Sequence, residues 1–299
     1  MAAVRPTYDS SIFASLRAPF PPGRSRFGVV LGTLRSPPSA DVEVVERDGE
    51  LLVVKCIRAS QRDLQAIDRA RPIIRALVEQ WAQLHHPGIA AILEIVHDPR
   101  IPPVLSIVMP YFSNGNAIDY LQRVVRNRFT VTLGLARQVA QALQYLHSAG
   151  IVHKDLRGSN ILVSEQGDAI LTDIGLAPVL GTVGLFSYMK IFSCARWAPP
   201  ELIFYEGHVN GAPFTAASDV YSFGMTVYEM LTLKKPFHNI PQETQVCLAI
   251  ATGGRPAESD DCDPNLNVLR PIIQNCWKFD PLARPSVAEV IEALQVYTL

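Results

Sequence analysis

Residues 153 to 160 read His153-Lys154-Asp155-Leu156-Arg157-Gly158-Ser159-Asn160. The apolar run Ile161–Val163 follows, then a hairpin-like Gln166-Gly167-Asp168, then Asp173-Ile174-Gly175. An Asp and an Asn five residues apart on a loop occur in many turns. Joined to a second Asp beyond a short hairpin, the combination is too specific to be a chance turn.

Working outward, the downstream chain carries Arg196-Trp197-Ala198-Pro199-Pro200-Glu201 and then Ser218-Asp219-Val220-Tyr221-Ser222-Phe223-Gly224. Lys235-Pro236-Phe237, Cys276-Trp277, Asp280-Pro281 and Arg284-Pro285 come next, in that order. Upstream stand Val53-Val54-Lys55 and His86-Pro87-Gly88-Ile89. Taken together, over about residues 28–299, these segments resemble the protein kinases, whose signatures are H-R-D-x-x-x-x-N, D-F-G, A-P-E and V-A-I-K. The details look most like the tyrosine-kinase-like group, particularly the kinase-like proteins of basidiomycete fungi.

The resemblance implies an α+β, two-lobed fold: a small antiparallel β N-lobe with one regulatory helix, and a larger α-helical C-lobe. It places a tail at 1–27, the N-lobe at 28–112 and the C-lobe at 113–299. It implies ATP and Mg2+ as cofactors and a protein substrate or protein partner. By resemblance, Asp155 receives or orients the substrate hydroxyl proton, and Asn160 and Asp173 offer oxygens to magnesium, a hard cation that takes them. Lys55 holds the α- and β-phosphates; a solvent-facing strand lysine is the alternative, set against the strongly apolar strand around it. Met109 takes the gatekeeper position, with the hinge at Pro110-Tyr111-Phe112. The Pro110 carbonyl and the Phe112 N–H meet adenine, Val53 and Leu162 sandwich its ring, and ATP lies in the cleft near 109–112. Plain core packing stays open for Met109, Val53 and Leu162. Asp219, Glu201 and Arg284 are structural in this reading: a brace for the catalytic loop and a buried ion pair.

Local patterns agree with strands first and helices after. Val42–Val45 and Glu50–Ile57 flank Asp48-Gly49, a two-residue hairpin signal. A helix is predicted to open at Pro72, with Ile73, Ile74, Leu77, Val78, Trp81 and Leu84 on one face. Ala90–Val96 and Val104–Met109 read as strands. Helices are predicted over Leu133–His147, Asp219–Leu233 and Ser286–Leu299, the last opened by a Ser286/Glu289 capping box.

The chain also departs from the family pattern. Between Gly28 and Val42 only Gly32 is available for the loop that cradles phosphates, and Pro37 and Pro38 have no N–H to offer. Leu77 occupies the usual glutamate position of the regulatory helix. At ~100° per residue, Glu79 points away from the apolar face, so no ordinary Lys55–Glu79 pair is expected, and Lys55 leans on Asp173 instead. Ile174 replaces the phenylalanine of D-F-G, and Lys154 the arginine of H-R-D, losing a bidentate fork. Thr182, Ser187, Tyr188 and Ser193 are candidate phosphosites, and Cys194 stands where a hydroxyl is usual. An active kinase, a pseudokinase scaffold and a small-molecule phosphotransferase remain as alternatives.

Composition bounds the rest. The chain has 299 residues, 48% of them apolar, and a net charge of −1, which suits two lobes and gives no footprint for nucleic acid. Its five cysteines are scattered without CxxC spacing, against a zinc site or disulfide framework. With no apolar run of ~20 residues, a membrane span is not expected, and a cytoplasmic, soluble, reducing setting is.

Overall fold

The computed structural model describes residues 24–25, 28–34, 40–58, 64–96, 103–176, 195–203, 214–256 and 264–297. They form two compact units: residues up to His85 with Ala90–Ser113, and His86–Ile89 with Asn114 onward. The first is built on an antiparallel sheet and the second mostly on helices, the mixed α+β architecture read from the motifs.

The sheet runs in the order β1-β2-β3-β4-β6-β5. Its strands are β1 (Arg24–Ser25), β2 (Gly28–Thr33), β3 (Ala40–Arg47), β4 (Glu50–Arg58), β5 (Glu94–Val96) and β6 (Pro103–Pro110). It therefore begins before the Gly28 start read from the sequence: Arg24 pairs with Val29. Arg47 pairs with Glu50 across Asp48 and Gly49, whose φ values are both positive (55° and 84°), as a two-residue hairpin turn matching the strand twist requires. Of the apolar stretch at 90–96 only Glu94–Val96 is strand.

Side chains alternate across a strand. On one face Val45, Leu52, Val54, Val96 and Val108 make a closed core, flanked by Val30 and Cys56. The opposite face carries Val53, Lys55 and Ile57 of β4. Val44, Ile107 and Met109 share it, because Val53 pairs with Val44 and Met109, and Lys55 with Ile107.

Helix α1 (Leu64–Ala82) packs against β6 and buries Ile74, Val78 and Trp81, each burial contributing about 1.5–3 kcal/mol. The Trp81 indole N–H donates to the Ala90 carbonyl at 2.9 Å. Two expectations need correction. The helix does not open at Pro72: two turns precede it, rich in good helix formers, and Pro72 sits inside, unable to bond the carbonyl four residues back. The buried face is also turned, leaving Ile73 38% exposed and Leu77 half-buried.

In the second unit, α2 (Ala117–Arg123) is capped by Asn116, and α3 (Arg128–Ser148) starts earlier than Leu133. The hairpin β7 (Ile161–Val163) and β8 (Ala169–Leu171) follows, then α4 (Pro200–Ile203) and α5 (Ala216–Thr232). After them come α6 (Glu243–Ala251), α7 (Pro264–Cys276) and α8 (Val287–Gln295). Helix α5 is buried nearly throughout and packs on α3 and α7. It opens before Asp219, through a Thr215/Ser218 capping box. The Ser286/Glu289 box forms as read. No helix among the described residues is long and apolar enough to cross a membrane.

Because Pro72 is exposed and costs an interior helix about 3 kcal/mol relative to alanine, Pro72→Ala should stabilise the chain by about 1–3 kcal/mol. Denaturant unfolding measures it; an unchanged or lower midpoint would contradict the helix placement.

Candidate active site

The sheet unit presents Val53, Lys55 and Met109 on one face, with Lys55 only 6% exposed and Met109 4%. Pro110, opposite Leu52, ends β6, and the Tyr111 N–H returns to the Leu51 carbonyl at 3.2 Å. Phe112 follows, half-buried. Glu79 lies on the exposed side of α1 and pairs with Arg75 at 2.7 Å, as its angular position predicts. Of the degraded glycine loop, β2 is bulged between Val30 and Gly32, and the Leu34 N–H reaches the Val42 carbonyl at 2.8 Å. Residues 35–39, with both prolines, lie outside the described residues, as do the four candidate phosphosites and Cys194.

In the helical unit the loop 153–160 is held by its backbone. Asp219, 1% exposed, accepts the His153 N–H at Oδ2 (2.8 Å) and the Lys154 N–H at Oδ1 (3.0 Å). The His147 ring Nε2 also lies 2.9 Å from Oδ2. Charge-assisted bonds of this kind are about twice as strong as neutral ones. Under this grip Lys154 takes φ 70°, and the Asp155 N–H turns back to His153 Nδ1 at 3.3 Å. Asn160 Nδ2 then donates to the Asp155 carbonyl (2.8 Å) and to Asp155 Oδ2 (3.0 Å). The two residues singled out by their spacing are thus bonded to each other. Arg157 Nη2 stands 3.4 Å from the same Asp155 oxygen.

Asp173 is tied to this loop through the backbone. The Thr172 N–H donates to the Asn160 carbonyl (3.1 Å) and the Gly175 N–H to the His153 carbonyl (3.0 Å). Asp173 itself takes φ 64°, a left-handed conformation that Asp tolerates better than most side chains. Ile174 is buried at 3%, filling the position of the missing aromatic.

Helix α5 contributes more than Asp219. Ser222 Oγ donates to the Trp197 carbonyl (2.9 Å) and Thr226 Oγ1 to the Leu156 carbonyl (3.3 Å). Glu229 Oε2 accepts from both the Gly158 N–H (2.9 Å) and the Trp197 indole N–H (3.0 Å). Asp219, Ser222, Thr226 and Glu229 are spaced three, four and three apart, one stripe along an otherwise apolar helix. Sequence reading passed over the last three; polar residues at helical spacing inside an apolar helix were the available signal.

The donor set suits a magnesium ion shared with a phosphate. With Nδ2 committed to Asp155, the Asn160 carbonyl Oδ1 meets, among the described residues, a long 3.5 Å contact from Ser159, and Asp173 adds a carboxylate to this oxygen-only chemistry. Among the described residues no group of three His, Cys, Asp or Glu side chains could hold a metal unaided.

The sequence profile of the protein tyrosine and serine/threonine kinase family matches residues 23–294. The chain belongs to that family. It is 27% identical to the serine/threonine/tyrosine-protein kinase HT1 of Arabidopsis thaliana, over 82% of the chain and 60% of that protein. It is 29% identical to a probable serine/threonine-protein kinase of Dictyostelium discoideum, over 74% of the chain and 16% of the relative. The tyrosine-protein kinase ABL2 of Mus musculus is also 29% identical, over 71% and 17%. The chain thus spans between about a sixth and three fifths of these curated relatives.

Further charged side chains of the helical unit are also engaged. Arg284 grips Glu201 through both guanidinium nitrogens (2.7 and 2.8 Å) and donates to the Lys278, Ala217 and Phe279 carbonyls. Arg196, 7% exposed, pairs with Glu243 and fastens the Pro236, Phe237 and Ile240 carbonyls. Lys154, in place of the family's arginine, sets its ammonium 5.9 Å from the centroid of the Phe214 ring.

Burial lowers the His153 pKa from the ordinary 6.5, against the opposing pull of the Asp219, Asp155 and Asp173 charges. Below about pH 6.5 the unfolded chain therefore binds a proton that the native ring refuses, and stability falls as pH falls. His86 shifts the same way, so the comparison must isolate His153. Between pH 7.5 and 5.5, His153→Asn should lose less of its unfolding free energy than the parent, by up to about 1.4 kcal/mol per pH unit. Equal losses in urea titrations would contradict a neutral buried ring.

Proposed function

We propose that the chain is an ATP-dependent protein kinase domain, moving the terminal phosphoryl group of Mg-ATP to a Ser, Thr or Tyr hydroxyl of a protein. The observation that carries this reading is the bonded Asp155–Asn160 pair in a loop fastened by Asp219. Phosphoryl transfer asks a protein mainly for positioning and charge, and such a loop supplies both. Asp155 receives or orients the hydroxyl proton. Asn160 and Asp173 hold the metal, and Lys55 holds the α- and β-phosphates. Val53 and Leu162 cover the adenine, Pro110 and Phe112 meet its edge through the backbone, and Met109 sets the depth of its pocket. Bound magnesium would offset charge on the phosphate oxygens.

Within the family, the motif details favour the tyrosine-kinase-like group seen among basidiomycete fungi. The domain works with a protein substrate or partner rather than nucleic acid. Cys56, Cys247 and Cys276 are free thiols, in keeping with a reducing cytoplasm.

A second reading, a pseudokinase that scaffolds or regulates a partner protein, is favoured by Leu77 at the glutamate position, by Glu79 engaged with Arg75, and by the single Gly32. Either way, phosphate handling is weaker than in a chain with an intact loop.

Autophosphorylation, or transfer to a generic protein acceptor, decides between them. The kinase reading expects magnesium-dependent transfer that drops about 10²–10⁴-fold in Asp155→Ala. Transfer unchanged in that variant would rule out Asp155 as the residue that receives or orients the proton. A folded parent that transfers nothing would favour the scaffold.

A further inference from the structure

Gly158 lies between Asp155 and Asn160 and is buried. Its φ is outside the left-handed region, so backbone conformation does not call for glycine there. Space does. A Cβ at 158 would stand 2.5 Å from Ile118 Cγ1 and 2.6 Å from Ile118 Cδ1, well inside the about 3.5–4.0 Å at which carbon atoms pack. Glu229 Oε2 follows at 2.9 Å. Ile118, half-buried in the first turn of α2, thus fills the volume that a side chain at 158 would take, and α2 packs on Gly158–Asn160.

The place of Ile118 is itself fixed. Asn116 Oδ1 accepts the Ile118 and Asp119 N–H groups, each at 3.0 Å, and Asn116 Nδ2 donates to Asp119 Oδ2 at 2.6 Å. The stretch before the helix is bonded to β7. The Val163 N–H donates to the Gly115 carbonyl (2.9 Å), Asn114 Nδ2 donates to the Ser164 carbonyl (2.6 Å), and Asn116 bridges Leu162 in antiparallel fashion. Strand β7 continues directly from Asn160. Residues 114–118 and 158–164 therefore form a closed ring of contacts, hydrogen-bonded along β7 and packed where Ile118 meets Gly158. One side of the ring holds Leu162, the other the loop of Asp155 and Asn160.

We propose that Ile118 is a positioning residue for phosphoryl transfer: packed on Gly158, it holds the loop that carries Asp155 and Asn160 at a set distance from Leu162, the residue proposed to cover adenine. The proposal rests on the kinase reading. Ile118 acts only through Gly158. An apolar contact fixes a distance because packed atoms resist compression, so a residue of the wrong size at 118 or 158 shifts the loop.

The test uses the whole chain, with Gly158→Ala, Ile118→Ala and the double variant, read as steady-state transfer from Mg-ATP to a generic protein acceptor. Gly158→Ala should lower kcat on the order of tenfold to a hundredfold, with KM for ATP changed less than about twofold. Ile118→Ala should lower kcat less. In the double variant the alanine methyl at 158 takes the vacated space, so kcat should be about tenfold above that of Gly158→Ala. Should Gly158→Ala not fold, Ile118→Val and Ile118→Ala decide, with kcat falling stepwise as the side chain shrinks while KM holds.

In a parent that transfers phosphate, an unchanged kcat in Ile118→Ala or in a folded Gly158→Ala overturns the proposal alone. So does a double variant no faster than Gly158→Ala, because the obstacle would then be Glu229 or another neighbour. Losses of kcat seen only at temperatures where the variants unfold would make the contact plainly structural and overturn it too. A folded parent that transfers nothing overturns the kinase reading, and the positioning role with it.

Discussion

The buried carboxylate of Asp219 is the constraint on which the helical unit turns. A carboxylate 1% exposed is costly unless its lone pairs are used. Its partners are the His153 and Lys154 backbone N–H groups and the His147 ring. Two consecutive amides can converge on one carboxylate only if the backbone turns sharply, and Lys154 accordingly takes a left-handed conformation. That turn brings Asp155 to face Asn160, and the Gly175 N–H to the His153 carbonyl. The geometry of the candidate site is thus a consequence of satisfying one buried anion.

Helix α5 extends the same logic along its length. An entirely apolar central helix would hold the unit together but could not address backbone groups in loops. The stripe from Asp219 to Glu229 addresses four points: the turn at 153–154, the Leu156 carbonyl, the Gly158 N–H and Trp197. The Glu201–Arg284 pair plays a matching part, with Arg284 also fixing three carbonyls. Buried pairs of this sort contribute little net stability but punish the loss of one partner. Two guanidiniums lie near the Tyr221 ring, with Arg284 5.0 Å and Arg255 5.7 Å from its centroid. Its burial and the nearby Glu201 charge push its pKa up against theirs.

Features governed by local chemistry were legible in the sequence. Asp48-Gly49 demands a tight hairpin, Ser286 and Glu289 satisfy each other's helix end, and the spacing of Asp155 and Asn160 singled both out, although their mutual hydrogen bond shows only in the structure. The start of α1 was not legible, because Pro72 is a good first-turn residue and its signal outweighed the helix formers of the two turns before it. The face of α1 was misjudged by part of a turn because six apolar residues span more than one face, and packing chose Ile74, Val78 and Trp81. Ser222, Thr226 and Glu229 escaped because each, alone, is an ordinary polar residue in a helix. Their meaning lies in partners 25 to 71 residues away.

The proposed kinase function requires a working nucleotide site despite one glycine in the loop and Leu77 in the regulatory helix. Calorimetry of Mg-ATP binding to the purified chain, with Asp173→Ala in parallel, tests it most directly, since it needs no knowledge of the substrate. Magnesium-dependent binding in the parent, lost in Asp173→Ala, is the expected result. No heat at about 1 mM ATP, where even a weak site would bind with about −4 kcal/mol, or equal binding by both proteins, would contradict it.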